Sequence, residues 1–254
     1  MPYRAATTTD VDFFREHGWL VVADAVDPAD LGPLDRRCEE IIADKERQAY
    51  DWAWSNDDGA DRTYRILQAM PSIGTTAFDA TPYRLWAVEF ASALMGFPIE
   101  HWYDQLLAKP AATSVPTDWH QDEAYWGRNL DDLGITCWMP LHDVDVDSGC
   151  MHFIDGGHRD GVLTHRRPEH IQSDLLVCEP DTSRAVACPV RLGSVTFHHS
   201  KTPHMTTANT TVPWRKVLTQ HMRQVGNPGE GDHYAWKVWV EQFSGRVTRP
   251  ADAR

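Results

Sequence analysis

The chain lacks most of what would place it on a nucleic acid, in a membrane or outside the cell. Basic residues are scarce: 24 Lys and Arg stand against 37 Asp and Glu, a formal net charge of −13. A phosphate backbone needs a basic stripe that such a balance does not supply. No apolar run approaches the ~20 residues that cross a bilayer, and the opening MPYRAATTTD has no signal-peptide apolar core. Cysteine is limited to Cys38, Cys137, Cys150, Cys178 and Cys188, odd in number and without a CxxC pair. That pattern predicts reduced thiols in a cytoplasmic protein, not a disulfide scaffold. Repeats, low-complexity stretches and Gly/Ser linkers are also missing, so the 254 residues are expected to form one domain. The partner expected is a small-molecule substrate, with no nucleic acid and no membrane, for a monomer or homodimer.

Histidine and tryptophan, by contrast, are abundant, at 13 and 11 residues. Residues 1–100 read as a helix-rich buttress. Asp10 is placed to cap a helix through Phe13, Phe14 and Glu16 that ends near His17-Gly18. Trp19-Leu20-Val21-Val22 reads as a strand, and Asp27-Pro28 opens a helix with Leu31, Leu34, Cys38, Ile41 and Ile42 at helical spacing. Residues 46–65, with Tyr50, Trp52, Trp54 and Tyr64, suit an active-site lid, and residues 83–95 suit a helix stopped at Gly96. From residue 101 to 225 short apolar runs (HWYDQLLAK, GITCWMPLHDV, CMHFI, AVACPV, GSVTFHH, KVLTQHMRQV) alternate with turn residues. Strands of that kind predict a β-sandwich or barrel, and the whole an α+β, mainly β layout. Residues 226–254 read as a C-terminal extension.

The sharpest local feature is Trp119-His120-Gln121-Asp122. If this segment is extended, His120 and Asp122 point to one face, two legs of a possible metal site. A third leg is expected from the segment Phe197-His198-His199-Ser200-Lys201-Thr202-Pro203-His204. Two histidines and a carboxylate on one face leave positions open on iron(II) for a co-substrate and O2.

Around these residues the sequence resembles the phytanoyl-CoA dioxygenase (PhyH-like) family of iron(II)/2-oxoglutarate-dependent oxygenases. The resemblance runs from His17-Gly18-Trp19-Leu20-Val21-Val22 through Gln105-Leu106-Leu107-Ala108-Lys109-Pro110 and WHQDEAYW at 119–126. It continues with Cys137-Trp138-Met139-Pro140-Leu141, DSGCMHFIDGGHRDG at 147–161 and GSVTFHHSKTPHMTTANTTVPWRKV at 193–217. It implies a double-stranded β-helix (jelly-roll, cupin-like) core. It also implies His120, Asp122 and His204 as iron ligands. The family places an arginine eleven positions after its distal histidine, and Arg215 stands eleven after His204, which favours His204 over His198 and His199. Arg215 is then the implied partner of the 2-oxoglutarate distal carboxylate, with Thr206 adding a hydroxyl, and Gln105 and Trp138 fall among the co-substrate-pocket residues. Tyr125 and Trp126, directly after the His-x-Asp motif, and His221, alternating with Met222 after Arg215, are placed to reach substrate, with packing against the early helices the alternative for Tyr125 and Trp126. The expected chemistry is oxidation, foremost hydroxylation, of a metabolite C–H bond with Fe(II), 2-oxoglutarate and O2, in natural-product biosynthesis.

Two departures from the pattern matter. The family's Gly-Ser-His-Arg turn reads Gly156-Gly157-His158-Arg159, expected only to loosen that loop. A co-substrate lysine of the namesake has no clear counterpart in residues 60–80, where Arg62 or Arg65 could substitute. The carboxylate at Asp122 argues for oxygenation over halogenation, since halogenating relatives carry a small residue there. His142, His152, His158 and His165 are expected to be structural or solvent-exposed. Alternatives that stay open are a cupin-like metal enzyme without 2-oxoglutarate, a non-enzymatic binding protein, and an acyl-CoA hydroxylase; the last is disfavoured by the lack of a basic collar.

Overall fold

The computed structural model describes residues 2–45, 66–72, 75–112, 115–126, 134–167 and 176–226. The lid assigned to 46–65, Arg62, Arg65 and nearly all of the C-terminal extension lie outside the described residues.

Helix α1 (Thr8–His17) is capped three residues earlier than expected. Thr7, not Asp10, is the N-cap, and Asp10 closes a reciprocal capping box from the third helical position. The Thr7 hydroxyl is the better cap because Asp10 is drawn to Arg4, whose Nη1 sits 2.6 Å from Oδ2. Arg4 is the main cause that holds the Asp10 carboxyl down to about 2 from an ordinary 3.8. A carboxyl lowered on folding stabilises the protein above its unfolded value and loses that contribution as pH falls toward 2. Asp10→Asn should therefore cost roughly 1 kcal/mol at neutral pH, allowing for solvent screening of this partly exposed pair. Urea unfolding at pH 7 and pH 2 checks this, the difference from wild type shrinking at the lower pH, where the folded-state carboxyl is partly protonated.

Helix α2 (Pro28–Ala43) starts on the Asp27 cap with Pro28 in its first turn, and buries the predicted stripe of Leu31, Leu34, Cys38 and Ile41. Helix α3 (Pro82–Met95) buries Tyr83, Trp86, Phe90 and Leu94 and stops at Gly96. Ten strands among the described residues make two sheets. They are β1 (Trp19–Val22), β2 (Leu67–Ala69), β3 (Ile99–Lys109), β4 (Thr117–His120), β5 (Gly134–Pro140), β6 (Met151–Ile154), β7 (Ala185–Cys188), β8 (Val195–His199), β9 (His204–Thr206) and β10 (Arg215–Gln224). The larger sheet runs β1-β8-β5-β10-β3-β2 and the smaller β4-β9-β6-β7. All the pairings are antiparallel. This is the expected jelly-roll.

Alternation along the strands divides the interior into two. Ile135, Cys137 and Met139 of β5, with Phe197 of β8 and Leu218 of β10, face the helices and join Phe14, Leu34 and Phe90 in the main core. Phe90 stacks on Phe197 with ring centroids 5.2 Å apart. A buried ion pair, Arg84 Nη2 to Asp104 Oδ2 at 2.7 Å, ties α3 to β3. The alternate residues of the same strands face the smaller sheet, and there the sandwich opens into a cavity. All five cysteines are buried and free. No helix among the described residues is long and apolar enough to cross a membrane.

Candidate metal centre and active-site cavity

His120, Asp122 and His204 are the group among the described residues that could hold a metal, with ligand atoms within 4.8 Å of one another. His120 and Asp122 are not brought side by side by an extended segment, as the sequence suggested. Strand β4 ends at His120, and Asp122 opens a short helix α4 (Asp122–Trp126). The turn between them is pinned by fully buried Gln121, which donates to the carbonyls of Gly161 and Lys201 and accepts from Leu163 N–H. Three backbone contacts make Gln121 the anchor of the motif. His204 stands opposite His120 in the β4–β9 pairing, ring centroids 4.2 Å apart.

Both histidines are prepared in the same way. His120 Nδ1 lies 2.7 Å from Asp118 O, and His204 Nδ1 lies 2.9 Å from Thr202 O. A carbonyl only accepts, so each Nδ1 carries the proton and each Nε2 is left with a free lone pair. Burial lowers both imidazole pKa values, His204 well below the ordinary range, which keeps them neutral. Burial by itself would raise Asp122; the hydrogen bond from His198 Nε2 to Oδ2 opposes it, and the carboxyl is held well below its ordinary range. His204 Nε2 is 3.6 Å from Asp122 Oδ1. Two neutral nitrogens and one carboxylate oxygen on one wall suit a divalent transition metal such as iron(II).

The inner face of the larger sheet faces this group as rungs of side chains. One rung joins Tyr103, His221, Thr136 and His198, the next Gln105, Thr219, Trp138 and Thr196, and a last one Lys109 and Arg215. The cavity between the sheets has a volume of about 140 Å³. Arg215 is 1% exposed, and burial lowers its pKa to about 9. Among the described residues its Nε and Nη1 have no hydrogen-bond partner, nor have Trp138 Nε1, Thr206 Oγ1 and Thr117 Oγ1. All four of these residues line the cavity. A buried guanidinium amid unpaired donors is costly unless an anion is to be placed there. Gly149 makes room beside it: its φ is +90°, and a Cβ there would come 2.9 Å from Thr207 O and 3.6 Å from Arg215 Nε.

A family model for the phytanoyl-CoA dioxygenases (PhyH) matches residues 14–217. The chain belongs to this family. Among curated relatives, a phytanoyl-CoA dioxygenase domain-containing protein 1 of Danio rerio is 31% identical over 114 residues. That match spans 42% of this chain and 39% of the relative's length. Among solved structures, EvdO2 from Micromonospora carbonacea var. aurantiaca, complexed with 2-oxoglutarate, superposes with a TM-score of 0.71 at 22% identity, over 90% of this chain and 98% of its own. The non-heme alpha ketoglutarate dependent carbocyclase SnoK from nogalamycin biosynthesis follows at 0.67 and 24%, over 88% of this chain and 86% of its own. At these identities the two structures establish the fold.

As a family member the chain brings all the anticipated residues to one place. Gln105, Tyr125, Trp126, Trp138, Thr206, Arg215 and His221 line the cavity together with His120, Asp122 and His204. Other family motifs act as stitching. Asp155 Oδ1 accepts from Trp19 Nε1 at 3.0 Å and contacts His17 Nδ1 at 2.7 Å, tying the His-Gly-Trp segment to β6. The glycine that replaces the family's serine does not loosen its turn. A Cβ on Gly157 would sit 2.7 Å from Pro203 Cδ, so the missing side chain admits Pro203, the neighbour of His204. His142 and His165 each donate from Nδ1 to a carbonyl and accept a backbone N–H at Nε2. They are structural, as expected. Sequence reasoning passed over Thr136, Thr117 and Lys109. Lys109 is fully buried, with Nζ donating to the carbonyls of Thr206 and Thr207 at 3.2 and 2.6 Å. Thr136 was detectable as the residue two before Trp138 on the same strand face.

Proposed function

We propose that this chain is an iron(II)/2-oxoglutarate-dependent oxygenase that hydroxylates an unactivated C–H bond of a small metabolite, in a natural-product pathway. The observation that carries the reading is that the His120–Asp122–His204 group and the unpaired Arg215 guanidinium line one cavity. His120 Nε2, His204 Nε2 and Asp122 Oδ1 would hold the iron. When bound, iron(II) with 2-oxoglutarate and O2 supplies the oxidant for the C–H bond, and 2-oxoglutarate becomes succinate and CO2.

The chain's own contribution is binding, orientation and exclusion of water. Arg215 offers a charge-assisted fork to the distal carboxylate of 2-oxoglutarate, with the Thr206 hydroxyl beside it. Its guanidinium lies over the Trp138 ring, 5.8 Å to the centroid, which keeps the fork from swinging away. Trp138 and Gln105 line the space for the rest of the co-substrate. Tyr125, Trp126 and His221 form the wall left for substrate, with His221 stacked on Tyr103 at 4.4 Å. Besides Asp122 and Arg215, the lining residues described carry no Asp, Glu, Lys or Arg. That neutral wall favours a compact polar or aromatic metabolite over an acyl-CoA.

Incubating the chain with iron(II), ascorbate and 2-oxoglutarate under air should release succinate above a no-enzyme control, even without substrate. Mass-spectrometric detection of succinate checks this. No succinate, together with no tightening of metal binding by 2-oxoglutarate, would overturn the reading in favour of a cupin-like enzyme.

A further inference from the structure

Asp122 is held more firmly than a metal ligand alone requires. Its Oδ2 accepts from Thr136 Oγ1 at 2.6 Å and faces His198 Nε2 at 3.2 Å, while Oδ1 lies nearer His204 Nε2. A carboxylate oxygen has two in-plane lone pairs, and two donors occupy both on Oδ2. The second donor settles the tautomer of His198. Nε2 carries its proton, and Nδ1 has no hydrogen-bond partner. His198 therefore presents to this cluster an N–H, whereas His120 and His204 present a lone pair. That is a structural reason why His198, buried within 4.3 Å of the His204 ring centroid, stands outside the ligand group.

Thr136 is held in turn. Its single hydroxyl proton goes to Asp122, and its oxygen also lies 3.0 Å from His221 Nδ1. His221 Nε2 meets the Gln105 side-chain amide at 2.7 Å and Thr219 Oγ1 at 3.2 Å. Thr136, His198 and His221 share one rung of the larger sheet, on β5, β8 and β10, and each is at most 5% exposed. The smaller sheet and its following turn supply the ligand; the larger sheet fixes which of its oxygens is available.

We propose that Thr136 and His198 are positioning residues that occupy Oδ2 of Asp122, make it a one-oxygen metal ligand, and thereby keep a coordination position open. The inference rests on the metal-site reading above. Without the two donors the carboxylate is free to turn and engage a metal through both oxygens, filling a position that a co-substrate or O2 needs.

Anaerobic titration of the full chain with Co(II), followed by its visible absorption, tests this without turnover. Thr136→Val should weaken Co(II) binding roughly 10- to 100-fold, the range for loss of an outer-shell partner. It should also lower the intensity of the visible band, as expected when the coordination number rises. Thr136→Ser, which keeps the hydroxyl, should return both to wild-type values. The second pair, His198→Phe against His198→Gln, keeps the question open to refutation if Thr136→Val does not fold. The glutamine retains an N–H donor and should bind as wild type does; the phenylalanine should not. If Thr136→Val and His198→Phe fold and bind Co(II) within about threefold of wild type, with an unchanged band, the positioning role is overturned. Absence of Co(II) binding by the wild-type chain would instead overturn the metal site itself.

Discussion

His204→Ala is expected to lose metal binding by more than the roughly 100-fold that an outer-shell change costs, while His199→Ala leaves affinity largely intact. The two residues lie five apart in a histidine-rich segment, and their environments differ entirely. His204 is buried, its Nδ1 committed to Thr202 O, its Nε2 turned toward Asp122. His199 ends β8 on the strand face opposite His198, where Nδ1 accepts from Lys201 N–H at 3.1 Å and the ring lies 5.6 Å from that of His158. It has no route to the cavity. His120→Ala should match His204→Ala, since each supplies one of only two neutral nitrogens in the group. Anaerobic calorimetric titration with Fe(II) or Co(II) gives the comparison directly. The opposite outcome, loss with His199→Ala and retention with His204→Ala, would reassign the third ligand.

Arg215→Met should abolish 2-oxoglutarate binding in practice while leaving iron affinity unchanged. Truncating one partner of a buried charged pair costs roughly 2–5 kcal/mol, or about 30- to several-thousand-fold in affinity. The same change should not harm the apo fold. The guanidinium is buried without an ionic partner among the described residues, so an apolar side chain of similar length relieves a desolvation cost. Thermal melting separates the effects. The apo variant should melt no lower than wild type, and added 2-oxoglutarate with metal should raise the wild-type midpoint only. Arg215→Lys should not restore the shift, because a point charge does not reproduce the planar fork. A variant whose melting point still rises with 2-oxoglutarate as the wild type's does would remove Arg215 from the co-substrate site.

The sequence was most legible where chemistry and spacing coincide. His120 and Asp122 are legible from the motif itself, His204 and Arg215 from the family's spacing that the resemblance implies, and the longer strands from alternation. Less could be read where tertiary packing decides. Strands β2 and β9 have three residues each, too few to show a period, although β9 carries His204 and Thr206. The geometry of Asp122 came from a turn that Gln121 stabilises through residues some 40 and 80 positions away, which no local pattern encodes. Thr136 and His198 gain their role from sheet register, which joins positions 136, 198 and 221 only after β5, β8 and β10 pair. Thr7 takes the cap because Arg4, six residues before Asp10, has the stronger claim on that carboxylate.

The β10–β3 ladder has one irregularity, between His221 and Met222, where the pairing steps from Tyr103 to His101 with Trp102 as the extra residue in β3. A residue inserted in this way turns two consecutive side chains toward the same side. Trp102 and Tyr103 accordingly both reach Trp126, one ring 5.5 Å away and one hydroxyl 2.9 Å from the indole nitrogen. The aromatic wall at this end of the cavity is thus set by a single extra residue in β3, whereas the metal-binding group sits on the opposite sheet and its adjoining turn. A deletion at this position would re-aim the wall and leave the ligands where they are. The architecture therefore offers descent a way to change what fits beside the metal by changing chain length by one, with the chemistry inherited intact.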